Sequence, residues 1–245
     1  MLVENFQKGT RMLRITCCSD YHGHLPLNLK GGDILIIGGD ICVSGNEFVQ
    51  ENWVNFKLTK WCREQAKKYK HIVAVWGNHD YVGEHPYLLN MSDFPKNFHL
   101  LNNTIVEVEG LKIWGTPYCL PYGSWPFMLP EEKLKDVFAL CPNDTDVIIS
   151  HGPPFMYRDG AARHWKSSDD DTKWPDPEHV GSKELTRRIK EVNPRLVVCG
   201  HIHEAYGQTT MPNGTVVVNA SRMTLGYQPN NEPIEVITSP KERAS

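Results

Sequence analysis

Side chains that bind metals or transfer protons follow one apolar run of the sequence directly. Residues 71–76 lead straight into Gly77, Asn78, His79 and Asp80. An Asn carbonyl can ligate a dication without adding charge, a His can bind metal or donate a proton, and an Asp can hold that His in one tautomer. This stretch therefore predicts a metal centre or a proton-transfer site.

Four other apolar runs end in residues of the same kind. They span residues 13–18, 33–37, 146–149 and 195–199, and the side chains that follow them are Asp20 and His22, Asp40, His151, and His201 with His203. Because the carboxyl ends of parallel strands lie at one edge of a sheet, we expect these groups to meet there. Residues two apart on an extended backbone point to the same side, so we expect Asp20 and His22 to share one side, and likewise His201 and His203.

The segments between these runs predict an α/β chain. Apolar and charged residues alternate at helical spacing from about residue 48 to 69, so the run 33–37, this helix and the run 71–76 form a βαβ unit with parallel strands. Residues 104–108 and 111–114 predict a hairpin that turns at Glu109 and Gly110. Helices are predicted from Pro130 to about Leu140 and over 183–192 after a Ser182 cap, with last strands at 215–218 and 234–237.

The 245 residues suffice for one α/β domain with a buried core. We expect a flexible leader at 1–11, a single domain at 12–240 and a polar flap at about 158–179. The loop 115–130 is expected to be ordered, and its aromatic cluster at 125–127 favours core or rim packing over stacking on a nucleobase.

Composition limits the partners and the compartment. The 26 basic and 29 acidic residues give a net charge of −3, which predicts no extended nucleic-acid groove and no attraction to a membrane surface, and favours a small phosphorylated substrate. No stretch reaches the ~20 apolar residues of a membrane span, and residues 1–11 are too polar for a signal peptide. Seven cysteines without a Cys-x-x-Cys spacing predict buried free thiols and a cytoplasmic location.

The number of candidate ligands favours two dications over one. The predicted ligands are Asp20, His22, Asp40, Asn78, His151, His201 and His203. Two dications ~3.5–4 Å apart need a bridging anion, and the two carboxylate oxygens of Asp40 make it the natural bridge. The mixture of His, Asp and Asn suits Mn, Fe, Zn, Co or Ni better than Ca or Mg.

This ordered series resembles the five-block signature of the calcineurin-like metallophosphoesterase superfamily, from Asp20 to His203. The resemblance implies a four-layer αββα sandwich of two mixed β-sheets flanked by helices. It also implies that Asp20, His22, Asp40 and His203 bind one ion and that Asp40, Asn78, His151 and His201 bind the other. His79, oriented by Asp80, would lie near the leaving oxygen while a hydroxide between the ions attacks phosphorus in line.

Finer motifs at 110–117, 149–154, 200–207 and 218–221 resemble the branch of the animal metallophosphoesterase-domain proteins and class III cyclic-nucleotide phosphodiesterases. Some animal members have Glu in place of Asp80, and one has Gly in place of His201. The branch implies hydrolysis of phosphodiesters, with small or cyclic nucleotides as substrates. The sequence does not choose among the metals named above, and we expect Mn ahead of Fe, Zn, Co or Ni.

Four alternatives remain beside this interpretation. Residues 41–45, which follow Asp40, contain no Arg to clamp a phosphate dianion, and this disfavours a protein Ser/Thr phosphatase without excluding a broad phosphomonoesterase. A nuclease would need a groove that the charge balance does not indicate. A non-catalytic scaffold tends to lose site residues, and this chain has the full set. His24 faces either substrate or solvent.

Overall fold

The computed structural model describes residues 11–162 and 178–241. Its first sheet has the order β13-β1-β2-β3-β4, in which β1 to β4 are parallel and β13 is antiparallel to β1. The strands are β1 (Leu13–Cys18), β2 (Gly32–Ile37), β3 (Tyr69–Val75), β4 (Phe98–Leu101) and β13 (Ile234–Thr238). The predicted parallel βαβ unit is confirmed, because β2 pairs with β3 in parallel.

The second sheet has the order β11-β12-β10-β7-β6-β5. Its four inner strands are parallel, and both edge strands are antiparallel to their neighbours. The strands are β5 (Thr104–Val108), β6 (Leu111–Thr116), β7 (Val147–Ser150), β10 (Leu196–Cys199), β11 (Gly207–Thr210) and β12 (Val216–Asn219). The strands β5 and β6 form the predicted hairpin, whose turn residues Glu109 and Gly110 have φ values of 50° and 81°.

Helices cover the outer faces of both sheets. They are α1 (Glu47–Trp53), a π-helical turn (Val54–Leu58), α2 (Thr59–Gln65), α3 (Glu131–Ala139) and α4 (Lys183–Val192). As predicted, Ser182 caps α4, since its Oγ accepts a hydrogen bond of 3.0 Å from the Leu185 N–H.

The predicted helix over 48–69 is wrong in its end point and in part of its apolar face. The helix ends at Gln65, and Tyr69 begins β3. Phe48 and Phe56, two of the apolar residues in the predicted helical pattern, are 57% and 72% exposed. Phe56 lies in the π-helical turn, which departs from the 3.6-residue period on which the prediction rested, whereas Phe48 lies in α1 before that turn.

Successive side chains of a strand point to opposite faces of its sheet and so pack into different core layers. In β2, Ile34 and Ile36 face the second sheet, whereas Leu35 and Ile37 face the helices α1 and α2. Side chains from both sheets fill the layer between them, including Ile15, Val73, Ile113, Ile149 and Val198. A further core on the outer face of the second sheet includes Trp114, Leu134, Phe138, Ile148 and Ile189. The fold is therefore the predicted helix–sheet–sheet–helix sandwich.

The predicted leader and flap fall largely outside the described residues, which begin at 11 and omit 163–177. At the base of the predicted flap, β8 (Gly160–Ala161) pairs antiparallel with β9 (Glu178–His179). The division into a leader and a single domain stays a prediction. Among the described residues, no helix combines the length and the apolar character needed to cross a membrane.

Candidate metal centre

Five strand ends deliver the predicted ligands to one edge of the sandwich. Residues that follow β1, β2 and β3 in one sheet meet residues that follow β7 and β10 in the other. Four of them, Asp20, His22, Asp40 and His201, have φ values of 53°, 42°, 51° and 67°. Our assumption of an extended backbone was therefore wrong here, because tight left-handed turns aim these side chains. Such conformations are costly for residues other than Gly and are concentrated at functional sites.

The first donor group consists of Asp20, His22 and His203, whose ligand atoms lie within 4.8 Å of one another. The Nε2 atoms of His22 and His203 are 3.3 Å apart, and His203 Nε2 is 3.5 Å from Asp20 Oδ1. The two imidazoles are largely buried, each with 8% of its side chain exposed. Two nitrogens and a carboxylate oxygen thus converge on one small volume.

The second donor group consists of Asp40, His151 and His201, also within 4.8 Å. Asn78 joins it, since its Oδ1 lies 2.8 Å from His151 Nε2, which is 3.4 Å from Asp40 Oδ1. The other carboxylate oxygen of Asp40 lies 3.7 Å from His22 Nε2 in the first group. One carboxylate therefore reaches both groups, as a bridging ligand must.

Backbone contacts fix these side chains in place. His151 Nδ1 lies 2.9 Å from the Gly38 carbonyl oxygen, which can only accept, so Nδ1 carries the proton and Nε2 faces the site. The His201 N–H donates to both oxygens of Asp20, at 3.0 and 3.1 Å. The His79 N–H donates to Asp40 Oδ1 at 2.7 Å.

The electrostatics of the site favour a bound cation. Burial raises the pKa values of Asp20 and Asp40, but the neighbouring histidines outweigh it and hold both below the ordinary value. Burial likewise opposes the charge on His151, yet Asp40 raises the pKa of His151 to about 9. The pKa of His201 falls to about 4 because of burial and the charge of His151.

His151 Nε2 faces an amide oxygen and a carboxylate oxygen, so the space between them must hold either a proton or a metal cation. A cation bound to Nε2 would replace that proton and satisfy both oxygens. The nitrogen and oxygen donors of the two groups fit a pair of divalent transition-metal ions.

Asp80 has a different position from the one we expected. Its fully buried carboxylate accepts hydrogen bonds of 2.8 to 3.1 Å from the backbone N–H groups of Ile41, Cys42 and Gly77. Within the described chain no hydrogen bond joins it to the His79 ring, so the expectation that Asp80 orients His79 directly is wrong. Asp80 instead ties the loop after β2 to the loop after β3. Burial and the charge of Asp40 raise its pKa to about 7, against the lowering effect of these N–H groups.

The His79 ring lies between two other rings. Its centroid is 4.3 Å from that of Trp125, at an interplanar angle of 40°, and 4.9 Å from that of His22. His79 is partly exposed, as a group that meets substrate must be. His24 is exposed and lies outside both donor groups, so its contact with substrate stays a prediction.

Three residues near the site were not predicted. Tyr227 places its ring 5.2 Å from His22 and 4.8 Å from His203, although no motif marks it. Trp125 was expected in core or rim packing, and the position of its ring against His79 was not foreseen. Gln50, fully buried in α1, donates 2.7 Å to the His79 carbonyl and accepts 3.0 Å from the Val82 N–H. The sequence shows Gln50 only as one polar residue in an amphipathic helix. Its role could be recognised only from its burial, which the sequence does not reveal.

Comparisons with known proteins agree with this geometry. The family model described as calcineurin-like phosphoesterase matches residues 13–205. Metallophosphoesterase domain-containing protein 1 of Homo sapiens is 33% identical over 258 residues, covering 95% of this chain and 72% of that protein. A UPF0046 protein of Caenorhabditis elegans is 29% identical, covering 97% of this chain and 79% of its own length.

A solved structure shares the fold at low sequence identity. The protein TT1561 of Thermus thermophilus matches with a TM-score of 0.50 and 14% identity, over 85% of this chain and 89% of that one. The family model covers most of the chain and includes all five strand ends that carry the donor groups. The chain belongs to the calcineurin-like phosphoesterase family.

Proposed function

We propose that this protein is a binuclear metal-dependent phosphoesterase that hydrolyses phosphodiesters of small nucleotides. The observation that carries the proposal is the pair of donor groups joined by Asp40, whose two oxygens lie 3.4 Å from His151 Nε2 and 3.7 Å from His22 Nε2. The predicted ligands Asp20, His22, Asp40, Asn78, His151, His201 and His203 would hold the two ions. When bound, the ions would lower the pKa of a water molecule and neutralise charge on the phosphate.

Side chains of the protein would position the metal ligands and assist the leaving group. Asp40 would fix the spacing between the two donor groups, and the N–H of His79 would hold Asp40 in position. The His79 ring is partly exposed beside His22, so it could donate a proton to the leaving oxygen or stabilise its charge. Asp80 would act indirectly by holding together the loops that carry Asp40 and His79.

The segment after Asp40 supports a diester substrate. Ile41 and Cys42 are buried, and their N–H groups bond to Asp80 instead of facing the site. No Arg lies in this segment to clamp a phosphate dianion, and a monoanionic diester has less need of one. The mixed nitrogen and oxygen donors support divalent transition metals, among which we propose Mn ahead of Fe, Zn, Co or Ni. The seven buried free thiols support a cytoplasmic location.

One set of assays tests the proposal. Metal-free protein is reconstituted with Mn²⁺ and assayed against bis-p-nitrophenyl phosphate, p-nitrophenyl phosphate, and 2′,3′- and 3′,5′-cyclic nucleotides. We expect metal-dependent turnover of the diester and of at least one cyclic nucleotide. Faster hydrolysis of p-nitrophenyl phosphate would indicate a phosphomonoesterase, and turnover that survives complete metal removal would refute the metal-dependent mechanism.

A further inference from the structure

A cleft of about 460 Å³ opens beside His79, on the side where Trp125 lies. This volume falls within the ~300–1,000 Å³ range of small-molecule sites. The described residues that line it are Ser44, Gly45, Asn46, Glu47, His79, Tyr81 and Trp125. Of the described lining residues, His79 is the one that adjoins the donor groups. If the phosphate of a substrate lay at the donor groups, the rest of the substrate could extend past His79 into the cleft.

Trp125 is held in place and still accessible. Its side chain is 38% exposed, while one part of its ring packs against His79 and Tyr81 lies 6.1 Å away. Gly123, at φ +116°, packs so closely that a Cβ there would lie 3.1 Å from Trp125 Nε1. A large aromatic residue normally buries most of its surface, so an anchored ring that stays open beside a reactive His is suited to contact a ligand.

The loop that carries Trp125 is closed at its base. The Cys119 N–H donates 3.0 Å to the Phe127 carbonyl, and the Leu129 N–H donates 3.0 Å to the Cys119 carbonyl. Phe127 is 5% exposed and packs in the core beside Tyr118. The expected packing of the aromatic cluster thus holds for Phe127, and this buried residue anchors the loop two residues from Trp125, which lines the cleft.

The charges in the cleft select the kind of group that fits. Glu47 is the only acidic residue in the described lining, and none of the described lining residues is Lys or Arg. A leaving group that carries a second phosphate would meet this carboxylate without a basic partner, which is unfavourable. Ser44, Asn46 and Glu47 offer donors and acceptors to hydroxyl or amino groups.

We propose that this cleft is the leaving-group subsite and accepts a neutral, planar group such as a nucleoside, with Trp125 as its stacking surface and main determinant of specificity. The inference rests on the proposed function, since it places the phosphate at the donor groups and the leaving oxygen beside His79. Stacking on one aromatic side chain tolerates every base, so the subsite selects planarity and lack of charge above base identity.

Equilibrium dialysis tests the subsite without turnover. Mn²⁺-reconstituted wild type, W125A, W125F and the control Y87A are each dialysed against labelled adenosine and against ribose. Tyr87 is a suitable control because it is 79% exposed and does not line the cleft. We expect the wild type to bind adenosine more tightly than ribose, W125A to lose about tenfold or more in adenosine affinity, W125F to lose little and Y87A to lose nothing.

Two results would overturn the inference: equal binding of adenosine and ribose by the wild type, or unchanged adenosine affinity in W125A. Matching thermal unfolding midpoints of all four proteins exclude misfolding as a cause. In parallel, kcat/KM for bis-p-nitrophenyl phosphate is expected to fall in W125A and to be retained in Y87A. If adenosine binds through Trp125 but no diester is hydrolysed, the proposed function fails, whereas diester hydrolysis without this binding removes the subsite alone.

Discussion

Two clusters of ionisable side chains lie at opposite ends of the parallel strands, and they balance their charges differently. The cluster at the amino ends, named here the basal cluster, consists of Arg11, Asp33, Lys70, His71, His99 and Glu109. Its two acids each lie within 3.1 Å of both Arg11 and Lys70, so its charge is neutralised internally. At the metal-centre end, the described ion-pair partners of Asp20 and Asp40 are all histidines.

Each cluster contains a pair of histidines at nearly the same spacing. His22 Nε2 and His203 Nε2 are 3.3 Å apart, and His71 Nδ1 and His99 Nε2 are 3.2 Å apart. In the first pair, Asp20 Oδ1 lies 3.5 Å from His203 Nε2 and Asp40 Oδ2 lies 3.7 Å from His22 Nε2. The carboxylates therefore approach the same two nitrogens that face each other. Glu109 approaches the second pair only at the other nitrogen of His71, at 3.8 Å. Spacing between nitrogens is therefore a poor sign of a metal site, whereas buried carboxylates whose ion-pair partners include histidines but neither Lys nor Arg are a better one.

The largest effect is expected when Asp40 loses its charge. D40N should lower kcat/KM by at least about a thousandfold, because the amide cannot bridge the two donor groups and metal-ion stabilisation supplies several kcal/mol. D33N in the basal cluster should change activity by less than about twofold, since surface ion pairs contribute about 0–1 kcal/mol. Metal content per chain and diester turnover are measured together. Full activity in D40N would show that Asp40 is not the shared ligand.

Removal of the His79 ring should separate catalysis from metal binding. H79A is expected to lower kcat about 10²- to 10⁴-fold, the range of a lost acid–base group, while metal content stays at the wild-type level. Its backbone N–H still reaches Asp40, so the donor groups keep their geometry. The matched variant H99A in the basal cluster should keep wild-type turnover. If H79A hydrolyses the diester at the wild-type rate, its assigned role is wrong.

Packing at the metal centre should tolerate no added methyl group. A Cβ at Gly77 would lie 2.5 Å from the Asp40 backbone nitrogen and 2.6 Å from His151 Cε1. G77A should therefore lower the free energy of unfolding by about 1–3 kcal/mol, typical of overpacking, and also weaken metal binding. The control is G226A, where the nearest atom to a new Cβ is Thr224 Oγ1 at 3.9 Å. Urea unfolding of the metal-free proteins measures the difference, and equal values for both variants would contradict this account.

The sequence allowed the parallel strands and the convergence of the candidate ligands at one edge to be predicted, because both depend on local rules. Each ligand follows an apolar run, and the carboxyl ends of parallel strands share an edge, so strand assignments sufficed to bring distant residues together. The resemblance then supplied the layer order. Even so, the left-handed backbone at Asp20 and Asp40 could not be predicted, because it results from close contact between loops of the folded chain.

Other features depended on contacts that no period or motif encodes. Asp80 follows His79 directly, yet its carboxylate satisfies the N–H groups of Ile41 and Cys42, nearly forty residues earlier. Tyr227 reaches the site from a long loop after β12. The π-helical turn displaced Phe56 from the expected face of its helix. In each case tertiary packing determines where the side chain lies, and local sequence preferences are compatible with several positions.

The smallest expected effect concerns pH and the basal cluster. Burial and the charge of His71 lower the pKa of His99 below its ordinary value. As the pH falls below about 6.5, His99 therefore binds a proton in the unfolded chain before it does so in the folded chain. The free energy of unfolding consequently decreases as the pH falls. Glu109 faces His71 from the turn after β5, 3.8 Å from His71 Nε2, and lies 3.1 Å from Lys70 Nζ.

H99Q, which cannot titrate, isolates the contribution of His99. In metal-free protein, the histidines at the metal centre are common to both proteins, so their titration cancels in the difference. The unfolding free energy of the wild type minus that of H99Q should be constant above about pH 7.5 and fall by a few tenths of a kcal/mol as the pH is lowered towards about 5.5. Chemical denaturation at several pH values measures this difference. A difference that grows on acidification would mean that a protonated His99 stabilises the basal cluster, so that its histidine pair, like the pair at the metal centre, would favour an added positive charge.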